Sequence, residues 1–97
     1  MEKVIVGEIQ ITLVRPVNGL VAFCTCTVHN SFYVGNIAIY TAPSNLLGYR
    51  LVFPTKKLLS GKQVPIFYPY RKDVEEIVTK AIVGKYVELM ESFNHIE

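Results

Sequence analysis

Between Glu8 and Asp73 the chain has no acidic residue, and between Arg15 and Arg50 it has no charged residue of either sign. The first absence leaves Arg15, Arg50, Lys56, Lys57, Lys62, Arg71 and Lys72 in a window of seven cations and no anion. The compensating acids Asp73, Glu75, Glu76, Glu88, Glu91 and Glu97 all follow that window, so the formal net charge of +2 hides a basic body and an acidic tail. Six of the seven cations fall within residues 50–72. Charge segregated in this way raises a local potential that the small net charge does not reveal, and its natural partner is a polyanion.

The charge-free stretch raises the question of a membrane span, and a second absence answers it. Asn18, Thr25, Thr27, His29, Asn30, Ser31, Asn36 and Pro43 interrupt it, leaving no uninterrupted run of the roughly 18 apolar residues a spanning helix needs. The N-terminus, Met1-Glu2-Lys3-Val4, lacks a basic region, a long apolar region and a small-residue cleavage site. No membrane association and a cytoplasmic location are therefore expected.

Histidine is scarce as well. His29 and His95 are the two present, and no acidic residue lies in the strand-forming region to orient His29 as a base. Gly35, Gly48 and Gly61 are isolated, so no glycine-rich loop cradles a phosphate. A non-catalytic protein without a cofactor is expected.

The two cysteines, Cys24 and Cys26, alternate with threonines on an extended segment, so both face the same side as Ala22 and Val28. Their separation along a strand is long for a disulfide. A Cys-x-Cys-x-x-His metal site would use His29, which has the wrong strand parity and no evident fourth ligand. Core thiols are the expected reading, with no metal, and reduced thiols suit a cytoplasmic chain.

What is present is mostly apolar: 51% of the 97 residues, with a mean hydropathy of +0.31. One domain spanning residues 1–97 is expected, and a chain this small commonly buries its surplus apolar surface against a second copy. Ile9, Ile11 and Leu13 alternate with polar neighbours, a half-buried strand. Asn18-Gly19 predicts a tight hairpin turn, leading into a strand over about 20–28. His29-Asn30-Ser31 predicts a second turn before a strand over 32–40. Residues 41–48 read as a loop, 49–53 as a short strand ended by Pro54, 55–62 as a polar excursion closed by Ser60-Gly61, and 63–68 as an edge strand or bare connection.

After Pro69 the periodicity changes. Val74, Ile77, Val78, Ala81, Ile82, Tyr86, Leu89 and Met90 recur at steps of three and four, one apolar stripe of a helix. Asp73, Glu75 and Glu76 suit the positive end of its dipole, Glu76 and Lys80 are spaced as an i,i+4 ion pair, and Gly84 marks either a close approach or a weak exposed turn. The expected architecture is α+β: an antiparallel sheet of four to five strands, beginning as a meander, covered by one long C-terminal helix.

The cations of residues 50–72 are the candidate binding residues: Arg50, Lys56, Lys57, Lys62, Arg71 and Lys72. Several cations in a row satisfy backbone phosphates without base contacts. Tyr49 beside Arg50, and Tyr68 and Tyr70 before Arg71, offer rings on which unpaired bases could stack, worth roughly 1–3 kcal/mol per base. The plain alternative is a set of solvated lysines with aromatics serving the core. Arg71 and Lys72 oppose the helix dipole, and Asp73, Glu75 and Glu76 would repel a phosphate passing over the first helical turn.

Laid out in this order, the chain resembles the stage V sporulation protein G family, bacterial regulators linked to septation. The resemblance covers about residues 9–90 and rests on Leu13-Val14-Arg15-Pro16-Val17-Asn18, on Phe32-Tyr33-Val34-Gly35-Asn36-Ile37-Ala38-Ile39, and on Gly48-Tyr49-Arg50-Leu51-Val52-Phe53-Pro54-Thr55-Lys56-Lys57, followed by Pro69 and by Ala81, Ile82 and Tyr86 at the family's spacing. It implies a small α+β protein that forms a homodimer and binds DNA and RNA, with neither catalysis nor cofactor. It also implies that the strand end at Pro54, Thr55, Lys56 and Lys57 and the start of the C-terminal helix make the contacts. At the helix start the family's Ser-Thr-Arg run becomes Asp73-Val74-Glu75, so a basic position is acidic here, with Arg71 and Lys72 a few residues earlier as candidate substitutes. That departure keeps open a second expectation: a protein-interaction module with a protein partner in a septation or other assembly.

Overall fold

The computed structural model describes residues 5–94. Strands β1 (Val6–Val17), β2 (Leu20–Val28), β3 (Phe32–Thr41) and β4 (Tyr49–Val52) form one antiparallel sheet in the order β1-β2-β3-β4. Chain order equals spatial order, as short connections dictate. Strands β5 (Thr55–Lys57) and β6 (Gln63–Pro65) form a separate two-stranded ribbon, and α1 (Lys72–Asn94) closes the fold.

Left-handed backbone makes the first two turns. Asn18 (φ 51°) and Gly19 (φ 90°) join β1 to β2, the mirror-image turn whose twist matches that of paired strands. His29 and Asn30, both at φ 54°, turn β2 into β3, and the Ser31 N–H donates to the Val28 carbonyl at 3.0 Å. Two bulges flank the middle of β2: one extra residue in β1 between Gly7 and Gln10, with Glu8 at φ 45°, and one in β3 between Val34 and Ile37, with Asn36 at φ 57°. Each inserts a kink and strengthens the local twist.

The alternation of β2 puts Ala22, Cys24 and Cys26 on one face, where they are buried with Val34, Ile37 and Ile39 of β3 and with Val78, Ile82 and Tyr86 of α1. Val74, Val78, Ile82, Tyr86 and Met90 stand four residues apart, one ridge of the helix laid onto the sheet. Tyr49 of β4 meets Tyr86 edge to face, ring centroids 5.1 Å apart. The helix also touches β1, the opposite edge, so it spans the sheet from side to side.

The expected α+β architecture is the one observed, with three corrections in detail. The polar excursion over 55–62 holds β5 and the turn of a β-hairpin, a strand pairing its polar pattern did not announce. Val83 is buried although it lies off the expected stripe, and Ile77, placed on that stripe, is exposed. Among the described residues Glu76 and Lys80 form no ion pair; the helix pairs Lys85 with Glu88 instead, at 4.0 Å. Gly84 is exposed with open space where a Cβ would stand, so it is the weak exposed turn and not a close approach. Among the described residues no helix is both long and apolar enough to cross a membrane: α1 has the length, at 23 residues, but carries too many charges.

Cys24 and Cys26 are free thiols, each about 1% exposed. Burial, with the neighbouring Cys26, pushes the Cys24 thiol up to about 12, so it stays protonated and inert. His29 stands exposed in its turn, away from the buried face that holds the sulfurs. His95 lies outside the described residues.

Candidate nucleic-acid interface

Lys56, Lys57 and Lys62 belong to the ribbon. Register pairs Thr55 with Pro65, Lys56 with Val64, and Lys57 with Gln63. Adjacent strand residues point to opposite faces, so Lys56 shares a face with Val64 while Lys57 shares the other with Thr55 and Gln63. Thr55 and Gln63 touch on that second face at 3.3 Å, between Oγ1 and Oε1.

The turn of the ribbon follows from its sequence. The Leu58 N–H donates to the Lys62 carbonyl at 2.8 Å, and the Gly61 N–H to the Leu58 carbonyl at 2.9 Å. Gly61 adopts φ 91°, the left-handed step that a three-residue hairpin loop needs after its tight turn. At the base, the Ile66 N–H donates to the Pro54 carbonyl at 2.9 Å. Every residue from Thr55 to Gln63 is exposed, and among the described residues no carboxylate pairs with Lys56, Lys57 or Lys62.

The other three candidates stand apart from this ribbon. Arg50 lies on β4 opposite Tyr40 of β3, its guanidinium carbon 4.8 Å from the centroid of that ring. Tyr49 and Leu51, its strand neighbours, point to the helix-covered core, so Arg50 and Tyr40 share the opposite face of the sheet. Arg71 is bound to Asp73 by two hydrogen bonds, Nε to Oδ1 at 3.0 Å and Nη2 to Oδ2. These bonds, more than anything else, hold the Asp73 carboxyl below its ordinary 3.8. Lys72 opens α1 and is exposed. Structure thus unites three of the six candidate cations, leaves Lys72 unpaired among the described residues, and gives Arg50 and Arg71 partners of their own.

Two features near the ribbon were not legible beforehand. Leu58 and Leu59 occupy its tip, and Leu59 is fully exposed at 110% of its reference area; the signal was two leucines set directly before Ser60-Gly61 in an otherwise polar segment. Tyr33, Pro54, Ile66 and Phe67 line a shallow groove of about 470 Å³ beside the ribbon's base, joining the start of β3 to the residues after β6. Tyr68 and Tyr70 are also exposed.

A second groove, of about 540 Å³, runs between β4 and α1, with Leu46, Leu47, Leu51 and Phe53 on one side and Glu75 and Glu76 on the other. Arg50 and Lys80 also line it, so its two acids are matched by two cations and the groove is apolar with a mixed-charge rim.

The SpoVG family model matches residues 4–88, nearly the whole chain. No curated protein matches it.

Proposed function

The chain belongs to the SpoVG family, whose members are sporulation- or septation-related regulators, and we propose that it acts there as a homodimer that binds nucleic acid without catalysing a reaction. The observation that carries this reading is the ribbon: Lys56, Lys57 and Lys62 on a wholly exposed hairpin, in a stretch with no acidic residue from position 9 to position 72. Phosphates neutralised by such cations release condensed counterions, which supplies affinity without base contacts. Lys72, exposed at the start of α1, offers a fourth cation apart from the ribbon. Arg50 and Arg71 join it only by leaving Tyr40 and Asp73.

Dimerisation is supported by the second face of the sheet. The helix covers one face; on the other, Phe23 and Val52 flank Ala38 in a cross-strand row and both are exposed in the single chain. Two copies would place two ribbons on one ligand. A cytoplasmic location follows from a nucleic-acid ligand.

The test is fluorescence anisotropy with labelled DNA and RNA across a salt series, for wild type and Lys56→Ala/Lys57→Ala. About four neutralised phosphates give a slope of log K against log salt near −3 to −4, and the double variant flattens it by about 2. A flat salt response, or a double variant that binds as wild type does, sinks this reading.

The groove between β4 and α1 favours a second reading, a protein-interaction module whose partner brings an apolar segment to Leu46, Leu47, Leu51 and Phe53. A stoichiometric protein partner that survives nuclease and high salt during purification would support it, and recovery of nucleic acid alone would count against it.

A further inference from the structure

We infer that the β5–β6 hairpin enters the major groove of duplex DNA as a two-stranded ribbon, with Lys56 and Lys57 reaching the two phosphate walls and Leu59 meeting thymine methyl groups on the floor. This rests on the nucleic-acid reading above and names the ligand for the same residues.

Three observations select that ligand. Lys56 and Lys57 leave opposite faces of one thin ribbon. A single strand passes over one face and would engage one of them, whereas a groove presents phosphates on both sides at once. The dimensions agree: three paired residues at about 3.3 Å each carry the tip about 10 Å from the base, comparable with a major groove about 8.5 Å deep and about 12 Å wide, which admits a two-stranded ribbon. The major groove of A-form RNA is too narrow for this docking.

The third observation is chemical. The foremost side chain of a cationic arm is expected to be polar if it only meets water or phosphate, yet here it is Leu59, wholly exposed, with Leu58 beside it. The floor of the major groove carries one apolar group, the thymine C5-methyl, and aliphatic side chains recognise it by contact. Lys57 and Lys62 flank the leucines on either strand of the tip, so the cations that draw the arm towards phosphate also deliver Leu59 to the bases.

The test compares a 20-base-pair dA·dT duplex, the same duplex with every thymine replaced by deoxyuridine, and single-stranded dT, by anisotropy at fixed salt. Wild type and Leu59→Ala are both measured, and circular dichroism checks that the variant is folded. Removing the methyl groups is expected to weaken wild-type binding roughly three- to fivefold, the transfer value of one buried methyl. Leu59→Ala is expected to bind both duplexes equally and to keep the wild-type salt slope, and single-stranded dT to bind more weakly than either duplex. A wild-type ratio near one, a ratio that persists in Leu59→Ala, or tighter binding of the single strand overturns the groove inference while leaving the nucleic-acid reading intact. Absence of salt-dependent binding to all three overturns both.

Discussion

Arg71 and Asp73 close a two-point fork at the entrance of α1, the guanidinium donating to both carboxylate oxygens across a single intervening residue. Arg71 also supplies the first helical acceptor, its carbonyl taking the Glu75 N–H at 3.0 Å. A cation placed against the positive end of a helix dipole is unfavourable by itself. The fork resolves the conflict: Asp73 neutralises Arg71 and sets its own carboxylate in the first helical turn, where the dipole favours it. The same contact withdraws Arg71 from any phosphate.

Asp73→Asn should therefore release Arg71 and strengthen nucleic-acid binding, steepening the salt slope by about 0.9 for one additional phosphate. An unchanged slope would show that a freed Arg71 does not reach the ligand. The pH dependence has a definite sign. Because the folded carboxyl is held below its ordinary 3.8, the fork is complete above that value and is lost only as the pH falls below it. At neutral pH, acid release does not compete with the substitution as an explanation.

Gly84→Ala should stabilise the protein. Gly84 lies within α1, is exposed, and has open space where the new methyl would stand. Alanine restricts the unfolded chain and favours the helix by about 0.5–1 kcal/mol. A thermal melt should rise by several degrees for a domain of this size. A melt unchanged or lowered would mean the exposed glycine is covered in solution.

What was legible in the sequence follows from where one physical signal dominates. Ile9, Ile11 and Leu13 alternate strictly, and Asn18-Gly19 tolerates left-handed backbone, so the first hairpin could be drawn from residues alone. The β5–β6 ribbon could not. Thr55, Lys56 and Lys57 carry no apolar alternation because neither face of the ribbon is buried, and only Gly61 betrayed the turn. On the helix, steps of three and four admit Ile77 as readily as Val83; the crossing of α1 over the sheet, a tertiary fact, decides that Val83 is covered and Ile77 is not. The candidate cations were identified by type, but their division was not: Tyr40 claims Arg50 across a strand pair, and Asp73 claims Arg71 just outside the helix, where i,i+4 rules do not apply.

The thiols predict an alkaline instability. Cys24 is raised from 9.0 to about 12 by burial first and by Cys26 second, so the unfolded chain ionises before the folded one. Its contribution to stability is whole below pH 9 and declines as the pH rises from 9 towards 12. Tyr86 is shifted upward in the same sense, so the useful quantity is a difference. Wild type should lose more melting temperature between pH 8 and pH 11 than Cys24→Ala loses over the same interval, roughly on the scale of a few degrees. Equal losses would place the instability in other groups. Neither thiol should react with an aromatic disulfide reagent until the protein unfolds.

The last prediction concerns the uncovered face of the sheet. Phe23 pairs with Thr12 on one side and Ala38 on the other, and Ala38 pairs with Val52, so one row crosses all four strands. Phe23 and Val52 remain exposed in this row although the chain is short of polar surface. Burying such side chains against a second copy gains roughly 1.5–3 kcal/mol for each one fully removed from water. Phe23→Lys introduces charge there without touching the helix-covered core, so the variant should keep its helical signal and melt cooperatively. Sedimentation at micromolar concentration should give a dimer for wild type and a chain of about half that mass for the variant. A wild-type monomer of 11.0 kDa would refute the dimer outright. A dimer that survives Phe23→Lys would move the contact to another surface, with the unpaired edge of β4 the next place to substitute.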